Sequence, residues 1–455
     1  MRKLLIFFLC FYVIGVRSLE AQTTKIQHNG VGFTFMRDGK PYYVKGVGGE
    51  VNLEKAVQIG ANSIRTWGVE NAQKVLDEAH KHGLTVMLGL WLQHERHGFD
   101  YDNKEKVLKQ LNYFKTIIEK FKDHPALLMW GIGNELDLQY SNTNVWYAVQ
   151  DLAKFVHQVD PNHPTSTVTA GLDSMEVQLI KSRAPDIDVY CVNTYGDIAN
   201  VPNNIERFGW SGPYMITEWG VNGYWESAKT PWNVSIEQTS TEKKRVFYER
   251  YKRYIEPNTA KCLGSYAFLW GAKQEYTETW FGLFSKDNKV TEPIDALEMV
   301  FKGTNPALAS PTVLSMQLDG KGLGDTIKVK AEARYSASVV AKMALNMTEM
   351  QEDAKKELVY EWKVLAESKD KKSGGDAEQE AQEVRGLIRG SSSQISLRAP
   401  GQAGAYRLFV TVHYNGKVAY ANIPFWVNER SLEDGPSRFI EFKKTTMSSF
   451  NRDNE

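Results

Sequence analysis

The sequence predicts an α/β protein, a (β/α)8 TIM barrel followed by a small all-β, Ig-like sandwich domain. Three observations carry this expectation. Eight short apolar runs alternate with amphipathic helical patterns over residues 25–302, close to the roughly 250 residues such a barrel takes. The fourth and seventh of these runs end in a glutamate. After Phe301 the composition turns small, polar and proline-bearing, and then to strands of alternating apolar and polar side chains.

At the N-terminus, Arg2 and Lys3 precede an apolar run over 4–16, with small residues at Ser18 and Ala21, the pattern of a secretory signal over 1–21. The run is too short to span a membrane, so the expectation is an exported protein without a transmembrane segment. Cys10 follows Phe8 and Leu9 rather than the small residues a lipid-attachment site needs. Cys191 and Cys262 lie in apolar runs and read as buried free thiols.

The expected barrel strands are 42–46, 63–66, 85–90, 126–130, 166–170, 189–193, 214–217 and 263–269. Val107, Leu111, Phe114, Ile118 and Phe121 form an apolar stripe along a long helix, and Val145, Val149, Leu152, Val156 and Val159 form another. A further helix starts after Asn71, a good N-cap, and stops at Gly83. A doubly wound open sheet is disfavoured, because no glycine-rich phosphate loop follows the first strand.

Residues 303–312 read as a linker and 313–428 as the sandwich, with strands at 326–333, 358–364, 394–397, 406–414 and 419–427. These strands can form a core of their own, so the second domain reads as a spacer without catalytic residues. The nearly apolar-free stretch 367–390 reads as a solvated loop, and 429–455 as a loose tail.

The chain carries 55 Lys and Arg against 55 Asp and Glu, so no global field argues for nucleic acid. At 12% aromatic, with twelve Trp, it is rich in side chains that can stack on sugar rings. At the expected strand ends sit Arg65-Thr66-Trp67, Trp91 with His94, Asn134-Glu135, Asn193-Thr194-Tyr195, Glu218-Trp219 and Trp270. Aromatic faces, amides, a guanidinium and two carboxyl groups are what cleavage of a glycosidic bond requires. One strand-end glutamate is usually a solvated surface residue; two, on the fourth and seventh strands, read as a catalytic pair. The run His94-Glu-Arg-His97 belongs to no metal-binding pattern, so neither a metal nor a cofactor is expected.

At these residues the sequence resembles the clan of retaining β-glycosidases built on (β/α)8 barrels. Trp130-Gly-Ile-Gly-Asn-Glu135 and Ile216-Thr-Glu-Trp-Gly220 look like the acid/base and nucleophile motifs of β-galactosidase and β-glucuronidase catalytic domains. A barrel directly after a signal, with one Ig-like domain behind it, is more similar to exported laminarin-degrading endo-β-1,3-glucanases. Asn134-Glu135, Glu218-Trp-Gly220 and Trp280-Phe-Gly-Leu-Phe284 also resemble fungal β-1,3-glucanosyltransferases.

The resemblance implies that Glu135 is the general acid/base, Glu218 the nucleophile, and Asn134 the holder of the sugar 2-hydroxyl. Arg65 would sit beside Glu218, where a guanidinium favours the carboxylate. Tyr195 would orient Glu218, and Trp270 would floor the glycone subsite. Trp91, His94 and Trp219 are further substrate-binding candidates.

The expected function is that of a secreted retaining endo-β-glycosidase acting on a β-glucan, with β-1,3-glucan favoured, and with its carboxyl groups about 5 Å apart. The alternatives are a β-1,3-glucanosyltransferase, an exo-acting β-glycosidase on another β-linked glycan, and a non-catalytic glycan-binding protein. The expected partner is a polysaccharide or oligosaccharide; linkage and oligomeric state stay open.

Overall fold

Strands buried on both faces need a helical layer outside them and side chains to fill the space within, and the eight apolar runs build that arrangement. The computed structural model describes residues 22–343 and 357–429. The expected signal at 1–21 and the tail from 430 onward lie outside the described residues.

A small antiparallel sheet comes first, made of β1 (Thr24–His28), β2 (Phe33–Arg37) and β3 (Lys40–Pro41). The barrel follows with β4 (Val44–Gly48), β5 (Ser63–Arg65), β6 (Thr85–Leu90), β7 (Leu127–Asn134), β8 (Thr165–Ala170), β9 (Val189–Asn193), β10 (Tyr214–Trp219) and β11 (Cys262–Ala267). These eight close in sequence order, every neighbouring pair parallel. Around them run α1 (Leu53–Gln58), α2 (Ala72–Lys81), α3 (Lys104–Phe121), α4 (Val145–Val159), α5 (Ser174–Arg183), α6 (Val201–Arg207), α7 (Ser240–Arg250) and α8 (Glu292–Lys302).

The first sheet stoppers the amino end of the barrel. Phe35 of β2 packs with Met87, Leu128, Met129, Val168, Cys191 and Met215 inside it, and the Arg37 guanidinium donates to the Pro125 and Leu127 carbonyls. The other end is left open for a site. Cys191 faces this inner core and Cys262 the layer between strands and helices, so the two thiols are buried and free.

β7 runs four residues beyond its expected end. Gly131 and Gly133 look like strand breakers, yet Gly131 pairs with Gly89 of β6, where a Cβ on Gly89 would lie 2.4 Å from the Thr66 carbonyl oxygen. Gly131 permits close approach between neighbouring strands, whereas Gly133, with φ 77°, turns the chain at the strand's end.

The second domain is a two-sheet sandwich. Its strands are β12 (Val290–Thr291), β13 (Thr312–Leu318), β14 (Lys328–Lys330), β15 (Arg334–Lys342), β16 (Val359–Ala366), β17 (Ile388–Arg389), β18 (Gln394–Arg398), β19 (Gly404–Tyr414) and β20 (Lys417–Asn428). One sheet has the order β12-β20-β19-β16, with β14 also on β20, and the other β13-β15-β18-β17. Val313, Val339 and Leu397 of one sheet pack with Leu408, Val410 and Phe425 of the other.

Four of these strands fall outside the expected set, two of them, β12 and β17, only two residues long. A register shift between Val313 and Ser315 breaks the alternation in β13, and β15 buries only Ala337 and Val339.

The domains meet in a buried polar seam. Glu237 accepts from Lys243 Nζ at 2.6 Å, Thr277 Oγ1 at 2.7 Å, Thr279 Oγ1 at 2.8 Å and Asn422 Nδ2 at 2.8 Å. Arg407 donates to Asn422 Oδ1 at 2.7 Å and to the Ser235 carbonyl at 2.9 Å. Strand β12, which leads into α8, extends the β20 sheet. The expectation of a mere spacer is corrected on a second count as well. The 367–390 loop is largely exposed, as expected, but it also folds over the barrel mouth, with Ser373, Gly374 and Gly375 lining the pocket there. Polar composition marks a segment that cannot build its own core, but a barrel rim rich in hydrogen-bonding groups can still hold it.

Candidate active site

Strands β5, β7, β9 and β10 carry polar side chains to the carboxyl end of the barrel, the edge where parallel barrels place their chemistry. Glu218, near the end of β10, is 5% exposed and accepts three hydrogen bonds. Its Oε1 takes Arg65 Nη1 at 3.0 Å and Trp67 Nε1 at 2.9 Å, and its Oε2 takes the Tyr195 hydroxyl at 2.8 Å. Burial, and then the Glu218 charge, raise the Tyr195 phenol well above its ordinary pKa, so the hydroxyl stays a donor. Arg65, 2% exposed, also ties the strand ends together, reaching the Thr217 carbonyl at 2.8 Å and Asn134 Oδ1 at 2.6 Å. Its guanidinium lies 5.2 Å from the centre of the Trp67 ring.

Glu135 occupies a different environment. The chain turns at Gly133 (φ 77°) and again at Glu135 itself (φ 49°), a left-handed conformation that costs a non-glycine residue about 1–3 kcal/mol. That turn sits at the lip of the pocket, where observed strain of this kind accompanies function. The Glu135 carboxyl takes one side-chain hydrogen bond, from Asn193 Nδ2 at 2.8 Å. Although Glu135 keeps some surface open to the pocket, protein crowding around its carboxyl, followed by the Glu218 charge, pushes its pKa well above the usual carboxylate range. Two carboxyl groups in one pocket are thus driven toward different roles: Glu218 held by three donors, Glu135 able to keep a proton.

Asn193 joins the pair. Its Nδ2 reaches both Glu135 and, at 3.2 Å, Asn134 Oδ1, while its Oδ1 accepts from Thr217 Oγ1 at 2.9 Å and Arg65 Nη1 at 3.3 Å. The sequence placed Asn193 and Trp67 at strand ends but gave neither a role. Their signal was position alone, since each is a donor at the open end of a barrel strand.

A pocket of about 650 Å³ exposes these groups, lined by Trp67, Trp91, Asn134, Glu135, Tyr195 and Glu218 among others. Trp225, 52% exposed, stands at its rim with its ring edge-on to Tyr195. The pocket lining is acidic. Glu135, Asp197, Glu218, Glu226 and Glu275 face one ammonium, Lys273, which is already engaged by Glu275 Oε2 at 3.2 Å and by the Gly375 carbonyl.

Two expected substrate contacts are placed elsewhere, and a third lines a neighbouring pocket. Trp219 is fully buried and packs behind the strand on Phe247 and Tyr251. Successive strand residues face opposite sides, so turning Glu218 into the mouth turns Trp219 out toward α7. His94 does not line the pocket. It is 1% exposed, and its Nε2 donates to the Asn134 carbonyl at 2.7 Å, bracing β7 from behind. Burial lowers its pKa to about 4, so it serves as a neutral donor. Trp270 lines an adjoining pocket with Arg65, Trp67 and Leu269, its Nε1 donating to the Val51 carbonyl at 2.7 Å. Trp91 does line the main pocket, its ring 4.7 Å from that of His94. Among the described residues no group of three or more His, Cys, Asp or Glu is arranged to hold a metal ion.

Residues 39–234 match the family described as glycosyl hydrolases family 2, TIM barrel domain, a span that takes in both Glu135 and Glu218. The match covers the part of the barrel from β4 to β10. A β-glucuronidase of Paenibacillus borealis is 27% identical over 222 residues, which are 45% of this chain and 36% of that protein. The human β-glucuronidase is 22% identical over 206 residues, covering 41% of this chain and 29% of its own. The chain thus matches about a third of the length of these relatives. Among solved structures, a β-glucuronidase from an uncultured Clostridium sp. superposes with a TM-score of 0.47 at 20% identity, over 62% of this chain and 54% of its own. Within that span Asn134-Glu135 and Glu218 stand at the ends of the fourth and seventh barrel strands.

Proposed function

We propose that the protein is a retaining β-glycosidase that cleaves a neutral β-linked glycan by double displacement. The observation that carries this reading is the division of labour between the two glutamates of one pocket. Glu218, oriented by Arg65, Trp67 and Tyr195, attacks the anomeric carbon while Glu135 gives its proton to the leaving oxygen. Glu135, now a carboxylate, takes a proton from water as that water opens the glycosyl-enzyme. Asn134, braced by Arg65 and Asn193, holds the sugar 2-hydroxyl.

The favoured substrate is a β-glucan, with β-1,3-glucan the one to which the sequence resemblance points. Uronides are the second reading, because the curated relatives are named β-glucuronidases. A uronate carboxylate needs a cation, and the one lining the pocket is already paired with Glu275, among five acidic side chains of which Glu135 keeps a proton. That charge pattern supports a neutral sugar. We further propose that the protein is exported, on the signal pattern of 1–21.

Proton NMR of the first product tests the mechanism: the β anomer is expected to precede mutarotation, and an initial α signal refutes the pairing of Glu135 with Glu218. A panel of β-glucans, mannans, galactans and an aryl β-glucuronide, with product sizing, tests the substrate. Turnover of the glucuronide alone would replace the neutral reading with the uronide one.

A further inference from the structure

The 367–390 loop of the second domain crosses the open end of the barrel. On one side its Asp376 takes a two-pronged hydrogen bond from Arg96, beyond β6, with Nη1 to Oδ2 at 2.7 Å and Nη2 to Oδ1 at 3.2 Å. His97 Nε2 adds a contact to Asp376 Oδ2 at 3.0 Å. On the other side the loop is held by residues beyond β10 and β11. Tyr224 Oη donates to the Lys372 carbonyl at 2.6 Å, Lys273 Nζ to the Gly375 carbonyl, and the Tyr276 amide to Glu378 Oε2 at 2.7 Å. The Lys371 ammonium sits 4.2 Å from the centre of the Tyr276 ring.

In the closed strand order of eight, β6 stands four places from β10 and three from β11. The anchors therefore lie on opposite sides of the mouth, and the segment between them is a strap over it. Two consecutive glycines let it lie close. Gly374 and Gly375 have φ of 62° and 70°, and a Cβ on Gly374 would come within 2.6 Å of Leu138 and 2.9 Å of the Arg96 guanidinium. A second pocket of about 700 Å³ shares Trp67, Leu269 and Lys273 with the first. The strap lines the first pocket, and the second adjoins it through those shared residues, so that the two together extend from Ala170 and Gly171 at the end of β8 to Gly49 and Asn52 after β4.

We infer that this strap determines specificity: it roofs the first pocket, so the site takes a linear β-glycan chain lying through it and rejects one branched at the roofed sugars. The inference rests on the glycosidase reading for its substrate, but the roofing itself is a matter of access and can be measured without any sugar.

Two full-length variants serve: one with 371–377 replaced by Gly-Ser-Gly, and the double substitution Arg96→Ala, Asp376→Ala, which frees the strap without removing it. Access is read from coupling of a bulky amine to Glu135 by a water-soluble carbodiimide, mapped by mass spectrometry. A rise of at least tenfold over the wild type is expected in a variant that keeps the wild-type circular dichroism, and an unchanged rate overturns the roof. Selectivity is read from linear laminarihexaose against a 1,6-branched laminarin oligosaccharide. The wild type is expected to prefer the linear chain at least tenfold, and the variants to fall within threefold. A wild type that cleaves both equally overturns the selectivity. If it cleaves neither, the β-glucan reading fails and the coupling rates still decide the roof.

Discussion

Replacing Tyr195 by Phe removes one oxygen from a buried site and nothing else. The ring stays packed against Phe268 and Phe281, with centroids at 6.0 and 5.3 Å. What is lost is the 2.8 Å hydrogen bond to Glu218 Oε2, while Oε1 keeps Arg65 and Trp67. A hydrogen bond to a charged group contributes about 1.5–3 kcal/mol. At about 1.4 kcal/mol per tenfold in rate, Tyr195→Phe should lower kcat by about 10- to 150-fold. The loss should fall on kcat with little change in KM, because the hydroxyl aims the nucleophile rather than binding the sugar. Steady-state kinetics on an aryl β-glycoside measures it, with the alkaline limb of the pH profile as control, since Glu135 is untouched. A loss under threefold, or a displaced alkaline limb with kcat unchanged, would refute the idea that Tyr195 acts through Glu218.

Glu218→Gln should cost several orders of magnitude in turnover while circular dichroism stays as in the wild type; activity within tenfold of wild type would end the nucleophile assignment. Glu135 must be protonated to serve as the acid, and its pKa is raised, so kcat/KM should hold up to a pH above the ordinary glutamate range and fall as the pH rises through that raised value. With a dinitrophenyl leaving group, which departs without a proton, that alkaline limb should flatten; an identical limb would assign it to another group. Glu237→Gln leaves the buried Lys243 ammonium without its carboxylate and should cost about 3–5 kcal/mol, read as a lower Tm by calorimetry. A Tm within one degree of wild type would show that the seam between the domains does not depend on this pair.

The sequence by itself determined the barrel and its two glutamates. Each strand is a local apolar run, each helix a local stripe, and a parallel sheet of such units brings all strand ends to one edge, so Glu135 and Glu218 could be paired without coordinates. The alternation that points Trp219 outward beside an inward glutamate was in the sequence too, yet its place at a strand end made it a substrate-binding candidate. Only the tertiary structure decided which donors close on which carboxyl. Trp67 and Asn193 act across gaps between strands that sequence separation does not measure, 151 residues from Glu218 in one case and 58 from Glu135 in the other. It also decided that the second domain reaches the site. A polar segment such as 367–390 carries no periodicity to say where it rests, and its place is fixed by distant partners, Arg96 and Lys273, whose own sequence context gives no sign of a loop arriving from another domain.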